Sequence, residues 1–551
     1  MKHIRLILAL SALLLASTIG TPSQAQVVEN HSSKVARNLS IFNEIYKMLD
    51  IYYVDTLAAD TVIRWAIDGM LMRVDPFTGY YPADDDDLRQ MATGKYAGIG
   101  SIIRFHKKHD RVVIDEPYEN TPSKDAGLKA GDIILTIDGK DVKGQYPATV
   151  TNMLRGEPGT TFELCFQRPG EEKSRSVKIT RRTIQLPAIP YYGILDEGIG
   201  YINLNSFTAG CAREVRNALQ QLMSQGAKSL VLDLRENPGG AINEAVDITN
   251  LFLPKGVKVV YTKGKQTAMN HEYFTTTDPI APDMPLVVLV NGASASSSEI
   301  VSGALQDMDR AVIIGKQTYG KGLVQAIRDV PYRGELKITT GRYYIPSGRC
   351  IQAHEYNHDG STKIVPDSLR KTFYTQAGRA VKDGGGIQPD STILNDTLPT
   401  MVYDLVQSDA FFDWATDFAA SHPSIAEPGK FQVTDSIYSD FCAYIEKSGL
   451  TYNRRSDEAI KILRRVAEME GYLQDAEAEM KALEAKFAPD VRKDLERLRK
   501  HIVPFVENEL IIRYYHQKGV LQHTMPQDNV YRVAVELLNN KQLYKSILEK
   551  K

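Results

Sequence analysis

The stretch Pro285–Gln325, PLVVLVNGASASSSEIVSGALQDMDRAVIIGKQTYGKGLVQ, limits what this chain can fold into more than any other. Leu286–Val290 is wholly apolar, rich in β-branched residues and bounded by Pro285 and Asn291-Gly292. It reads as a parallel strand buried on both faces. The small-residue turn Gly292–Ser298 follows. Ile300, Val301, Ala304, Leu305 and Met308 then recur at helical spacing, so Ser298 or a neighbour opens an amphipathic helix. A second apolar run, Ala311–Ile314, leads to Lys321 between Gly320 and Gly322. The order is strand, serine turn, helix, strand, lysine loop.

That order has a chemical reading. A serine hydroxyl attacks poorly until a base takes its proton. A turn at a helix N-terminus exposes the hydroxyl and aims backbone N–H groups at negative charge forming beside it. The base can be lysine, because an amine buried among apolar groups loses its preference for the charged form. The glycines flanking Lys321 let backbone pack closely round it. Gln325 is neutral, so its amide orients the amine without holding a proton on it. The plain alternative is a small-residue linker and a solvated lysine. Placement between two buried strands argues against that, since open α/β sheets carry their sites at strand ends.

SASSSEI followed by G-K-x-T-Y-G-K-G-x-V-Q resembles the carboxyl-terminal processing peptidases, also called tail-specific proteases. The resemblance implies a multidomain α/β chain with a crotonase- or ClpP-like protease core and a Ser–Lys dyad. Ser296 would be the nucleophile, Lys321 the general base and Gln325 its positioner. The family usually has alanine at Ser297, so this chain carries three adjacent serines and the choice of Ser296 rests on the resemblance. Asp233–Gly240, DLRENPGG, is similar to the family's Asp-Leu-Arg-x-Asn-Pro-Gly-Gly turn. Two glycines ahead of a helix can present a bare N–H to an oxyanion. Gly239 or Gly240 would supply one donor and Ser297 the other. Strand–helix alternation through residues 199–314 argues for right-handed crossovers.

Residues 95–185 alternate as strands with Asp138-Gly139 and Pro158-Gly159 turn signals, and Pro122–Gly139 resembles a bacterial PDZ domain. Gly98-Ile99-Gly100 ahead of an open strand edge would hold a peptide carboxylate on N–H groups while the peptide adds a strand. Leu154-Arg155-Gly156 is similar to a family stretch in which the arginine couples peptide binding to the active site, and the family's PDZ domain is a lid. Residues 26–94 read as a helical segment, with Ile41, Ile45, Met48 and Leu49 on one apolar face and Val62, Ala66, Met70 and Val74 on another. Its turn Asp75-Pro76-Phe77 resembles the family's Asp-Pro-His, so no histidine role carries over. Asp84–Asp87 reads as a solvated loop.

His354-Glu355-Tyr356-Asn357-His358 matches the zinc-protease pattern HExxH. Pro346, Gly348, Asn357, Asp359 and Gly360 surround it, which is poor context for the helix that metal site needs. The chain 186–400 reads as the protease core and 401–551 as a helical domain. Leu473, Ala476, Met480, Leu483 and Phe487 form one apolar run and Val491, Leu495, Leu498, Ile502 and Phe505 another, divided by Pro489, which predicts a helical hairpin. Residues 1–25 read as a signal peptide: Lys2, His3 and Arg5, then Leu6–Ala16, then Ser23-Gln24-Ala25. A periplasmic location follows. Cys165, Cys211, Cys350 and Cys442 are too scattered for a disulfide framework or a metal site, and Cys165 reads as core filler. A net charge of −2 gives no reason to expect nucleic acid. The expected enzyme is a serine endopeptidase acting on exported proteins with free apolar C-termini, using no metal or organic cofactor. An adaptor protein and self-association through the helical regions are further partners the resemblance allows. The alternative from another class is an inactive PDZ scaffold that only binds tails, and behind it a zinc protease through His354 and His358.

Overall fold

The computed structural model describes residues 30–83, 87–357, 359, 361–394, 398–452 and 454–549. The leader segment and His358 lie outside them. No helix among the described residues is long and apolar enough to cross a membrane. The chain divides into two compact units, Met1–Leu71 and Met72–Lys551. The first holds the helices His31–Tyr52 and Ala59–Leu71. The first helix is capped by Asn30 Oδ1, which accepts from Ser33 N–H at 2.8 Å, and none of its residues is buried. Its apolar face of Ile41, Ile45, Met48 and Leu49 lies open, as do Trp65 and Met70 on the second helix.

The larger unit is built round a six-stranded sheet in the order Tyr191–Asp196, Ile199–Asn203, Ser229–Asp233, Leu286–Val290, Val312–Gly315, Ser391–Thr392. The first pair is antiparallel and the others are parallel. Right-handed crossovers between neighbours taken in chain order put every connecting helix on one face. Cys211–Ser224, Ile242–Thr249 and Ser297–Asp307 accordingly pack against Ile202, Leu230, Leu232, Val288 and Ile313. The opposite face is just as apolar, because alternate residues of a buried strand point to it. Tyr201, Val231, Val287, Leu289 and Ile314 on that face are covered by Tyr531, Ala534, Leu537, Leu538 and Tyr544, from Asn529–Asn539 and Lys541–Leu548. The last helices of the C-terminal stretch thus complete the core of the enzyme-like layer.

A second, antiparallel sheet sits beside the first. Gly334–Tyr344 is its long strand, flanked by Leu323–Val330, Lys258–Gly264 and the short Gly79–Tyr81. The PDZ-like unit is a sheet of Ser101–His106, Arg111–Pro117, Ile133–Ile137, Thr161–Gln167 and Arg175–Thr180 with the helices Pro122–Asp125 and Pro147–Leu154. Its entry and exit run side by side as the antiparallel pair Lys95–Gly98 and Arg182–Gln185. On Thr161–Gln167 the buried residues are Phe162, Leu164 and Phe166. Cys165 falls on the alternate, more open face, which corrects its reading as core filler. All four cysteines are free thiols.

Behind the PDZ sheet lies the helix Ala410–Ser421. Its Phe412 is buried with Val113 and Ile133, Arg104 meets Asp409 at 2.8 Å, and His106 meets Asp413 at 2.7 Å. That helix also belongs to a cluster with Tyr438, Phe441, Leu495, Ile502 and Val506. The predicted hairpin pairs differently from expectation. Arg455–Met469 pairs with Glu477–Lys486, where Arg464 reaches Glu477 at 3.1 Å and Glu484 at 3.0 Å. The run through Leu495 and Ile502 instead closes the Phe411–Trp414 cluster, because its side chains are the ones that bury there.

Candidate active site

The serine turn is fixed by its own hydroxyls. Ser294 Oγ donates to Leu234 O at 2.8 Å, Ser297 Oγ to Gly240 O at 2.9 Å and Ser298 Oγ to Asn237 O at 2.8 Å. All three serines are fully buried. They tie the turn to the Leu234–Gly240 loop at the end of the neighbouring strand. Ser296 differs: it is partly exposed, and its hydroxyl is committed to none of these carbonyls. Its backbone sits at φ 54°, ψ −113°, a conformation that costs an L-residue about 1–3 kcal/mol. The surroundings hold it there. Ser296 N–H donates to Glu299 Oε2 at 2.8 Å, and Ala295 N–H to Asn237 O at 3.0 Å. Gly239, at φ 99°, packs so closely that a Cβ would lie 2.8 Å from Ser296 Cβ and 2.9 Å from Ser297 N. No side chain fits there.

Glu299 joins this turn to the lysine loop. The carboxyl is fully buried and accepts from Ser296 N–H, Thr318 Oγ1 at 2.6 Å, Gly320 N–H at 2.7 Å and Lys321 N–H at 2.9 Å. Burial pushes it up to about 7 against the pull of those donors. Tyr343, also buried, points its hydroxyl at Ser296 O, 3.2 Å away, and at Lys321 O. The two main chains are therefore locked together twice.

Lys321 is mostly buried, which lowers it from the usual lysine range to about 8; Lys337 adds to the depression, while Glu299 and Asp75 oppose it. Its Nζ lies 4.3 Å from the centre of the Phe77 ring. Ser296, Lys321, Gln325, Gly240 and Tyr343 line one cleft of about 360 Å³. Gln325 Nε2 donates to Thr339 Oγ1 at 3.2 Å rather than to the lysine amine. Gly239 N–H is taken by Asn237 Oδ1 at 2.9 Å, whereas Gly240 faces the cleft.

Three family models match the chain. Residues 198–367 match peptidase family S41, 99–179 the PDZ domain, and 401–538 the C-terminal helical domain of a probable PDZ-protease. A carboxy-terminal-processing protease of Bartonella bacilliformis is 36% identical over 331 residues, 59% of this chain and 75% of the relative. The chain belongs to peptidase family S41. A probable CtpA-like serine protease of Staphylococcus aureus is 35% identical over 61% of this chain and 68% of its own. Among solved structures, the photosystem II D1 C-terminal processing protease is 25% identical, covering 65% of this chain and 94% of its own at a TM-score of 0.35. This S41 member is a serine-type, C-terminal processing peptidase with a PDZ domain.

In this S41 chain the remaining predicted positions fall away from the cleft. Gly98, Ile99 and Gly100 lead into Ser101–His106, whose outer edge has no partner strand among the described residues and lies against the helix Pro147–Leu154. That is the geometry of a peptide-accepting groove. Arg155 bonds Asp87 at 3.1 Å and Gln90 at 2.7 Å, and its guanidinium lies 5.5 Å from the Tyr96 ring centre. His354–Tyr356 forms a β-strand paired with Thr362–Ile364, so the HExxH segment lacks the helix its zinc chemistry requires. Among the described residues no three His, Cys, Asp or Glu side chains converge as a metal site would need. Neither Glu299 nor Tyr343 takes a role from the sequence motifs, and Phe77 stands out there only as a departure from histidine. Glu299 had a signal, since Ser296-x-x-Glu299 is a capping box.

Proposed function

We propose that this chain is an exported Ser–Lys endopeptidase that cuts proteins near their C-termini. The supporting observation is that Ser296 and Lys321 open onto one cleft while their main chains share the Glu299 carboxylate. In this reading the neutral Lys321 amine takes the Ser296 proton as Oγ attacks the scissile carbonyl, then gives it to the leaving amine. Ser297 N–H and Gly240 N–H hold the oxyanion, Gly240 being favoured over Gly239 because it faces the cleft. Water releases the acyl group by the same route. Gln325 acts from its bond to Thr339, turning toward the amine when substrate enters.

The core at 186–400 has the crotonase- or ClpP-like arrangement, preceded by the signal peptide at 1–25, the helical segment at 26–94 and the PDZ domain at 95–185, and followed by 401–551. The PDZ domain receives a free apolar C-terminus on its open edge near Gly98, Ile99 and Gly100. Arg155 and the seat on the helix Ala410–Ser421 set how far it moves as a lid. Export places the protein in the periplasm. The open face of the N-terminal helices suits self-association, and an adaptor protein can deliver substrates. The test is incubation of the mature protein with an unfolded substrate ending in apolar residues, beside Ser296→Ala and Lys321→Ala. Cleavage that survives both substitutions rejects the dyad.

A further inference from the structure

The segment before the first strand of the antiparallel sheet is built as tightly as the catalytic loops. Asp75 Oδ1 accepts the N–H groups of Phe77 and Thr78, each at 2.7 Å, and Asp75 Oδ2 accepts Thr78 Oγ1–H at 3.0 Å. Thr78 Oγ1 in turn accepts Thr339 N–H at 3.2 Å, and Gly79–Tyr81 pairs with Glu335–Lys337 of the same strand. The turn is therefore fixed to the strand that carries Lys337 and Tyr343. Phe77 projects from it. One side of its ring meets Tyr356 edge-on, with centres 5.9 Å apart and planes at 85°. The Lys321 amine lies 4.3 Å from its centre.

We propose that Phe77 is a positioning residue for the reaction: its ring covers the Lys321 amine and keeps bulk water off it. The proposal rests on the reading of Lys321 as the general base. A ring in that place acts in two opposed ways. Excluding water favours the neutral amine, while the negative face of the ring favours the ammonium. The other groups facing the amine are Lys337 on the strand, Glu299 on the helix and Asp75 in the turn. Burial is the largest cause holding Lys321 low, at about 8, and the Phe77 ring stands 4.3 Å from its amine.

Two substitutions separate the effects. Phe77→Leu keeps an apolar cover and removes the aromatic face. Phe77→Ala removes both and admits water. The full mature chain is assayed for kcat/KM on a peptide with an apolar C-terminus from acid to alkaline pH. In parallel, the pH dependence of Lys321 acetylation is followed by mass spectrometry, which needs no turnover. Phe77→Ala should move both midpoints up by about one pH unit, costing roughly tenfold in kcat/KM at pH 7 and little at pH 10. Phe77→Leu should leave both where they are or lower them. The proposal is overturned if Phe77→Ala loses activity equally at every pH with an unmoved acetylation midpoint, or if both variants shift upward alike. The dyad reading fails separately, through a Lys321→Ala enzyme that keeps its activity. Acetylation would still report whether Phe77 covers the amine.

Discussion

The serine turn and the lysine loop meet in one cleft but are held by different physics. Around Ser296 everything is directional: three buried hydroxyls donate to carbonyls of the next loop, and Gly239 leaves no room to move. Lys321 has its backbone held equally well by Glu299, yet no hydrogen bond or ion pair among the described residues engages its amine. The amine is governed by burial, by Lys337 and by the Phe77 ring. Geometry makes the nucleophile and environment makes the base. The first should fail all at once when broken, whereas the second should slide with pH.

Removing either reacting group gives the largest effect. Ser296→Ala and Lys321→Ala should each lower kcat by about a thousandfold or more with the fold retained, as measured by cleavage rates and circular dichroism. A Lys321→Ala enzyme within tenfold of wild type would break the comparison outright, because the cleft would then need another base. Glu299→Ala comes next and acts on both loops together. It strands the donors of Ser296, Thr318, Gly320 and Lys321 in a buried site, which should cost about 3 kcal/mol or more in urea unfolding and most of the activity. Loss of activity without loss of stability would show that Glu299 serves the chemistry directly and does not merely join the loops.

Much of this arrangement is visible in the chain itself. Leu286–Val290 and Val312–Gly315 are where apolar runs predicted them, because a strand buried on both faces has few alternatives. What covers the second face was less legible. Three crossovers of one hand leave that face bare, so something distant in sequence had to supply it, and Tyr531 and Tyr544 carry no local mark of that duty. The site shows the same division. Ser296 and Lys321 stand out by motif, but the hydroxyls of Ser297 and Ser298 look identical to that of Ser296 until the carbonyls of Asn237 and Gly240 are placed beside them. Phe77 was noticed as a departure from a histidine. Its contact with Lys321 depends on a turn and a strand pairing that no short-range pattern encodes.

The pH dependence tests the environmental half. With Lys321 at about 8, kcat/KM should rise about tenfold from pH 7 to pH 9 and then level off. The same shift bears on stability. Lys321 is lower in the folded state than its usual value, so between pH 8 and the ordinary lysine range the unfolded chain binds more protons, and stability rises with pH across that window. Below it the cost of burying the charge is constant. Lys321→Met removes that cost and should stabilise the inactive protein at pH 7 by on the order of 2 kcal/mol in thermal or urea unfolding. A destabilised Lys321→Met protein would mean the Phe77 contact holds the loop more strongly than burial strains it.

The smallest effect expected comes from Ser297→Ala, and it measures how far the Ser296 turn depends on the tether beside it. Ser297 Oγ is spent on Gly240 O, so alanine removes one hydrogen bond worth about 1 kcal/mol and leaves its backbone N–H in place. Gly240 is exposed, so water can take over its carbonyl. Activity should stay within about threefold of wild type, since a donor fixed at a helix N-terminus needs no side chain. A Ser297→Ala enzyme as silent as Ser296→Ala would mean that the Gly240 loop drifts once its tether is cut. The nucleophile's geometry would then depend on that single bond, and the contrast with the lysine would narrow to a difference of degree.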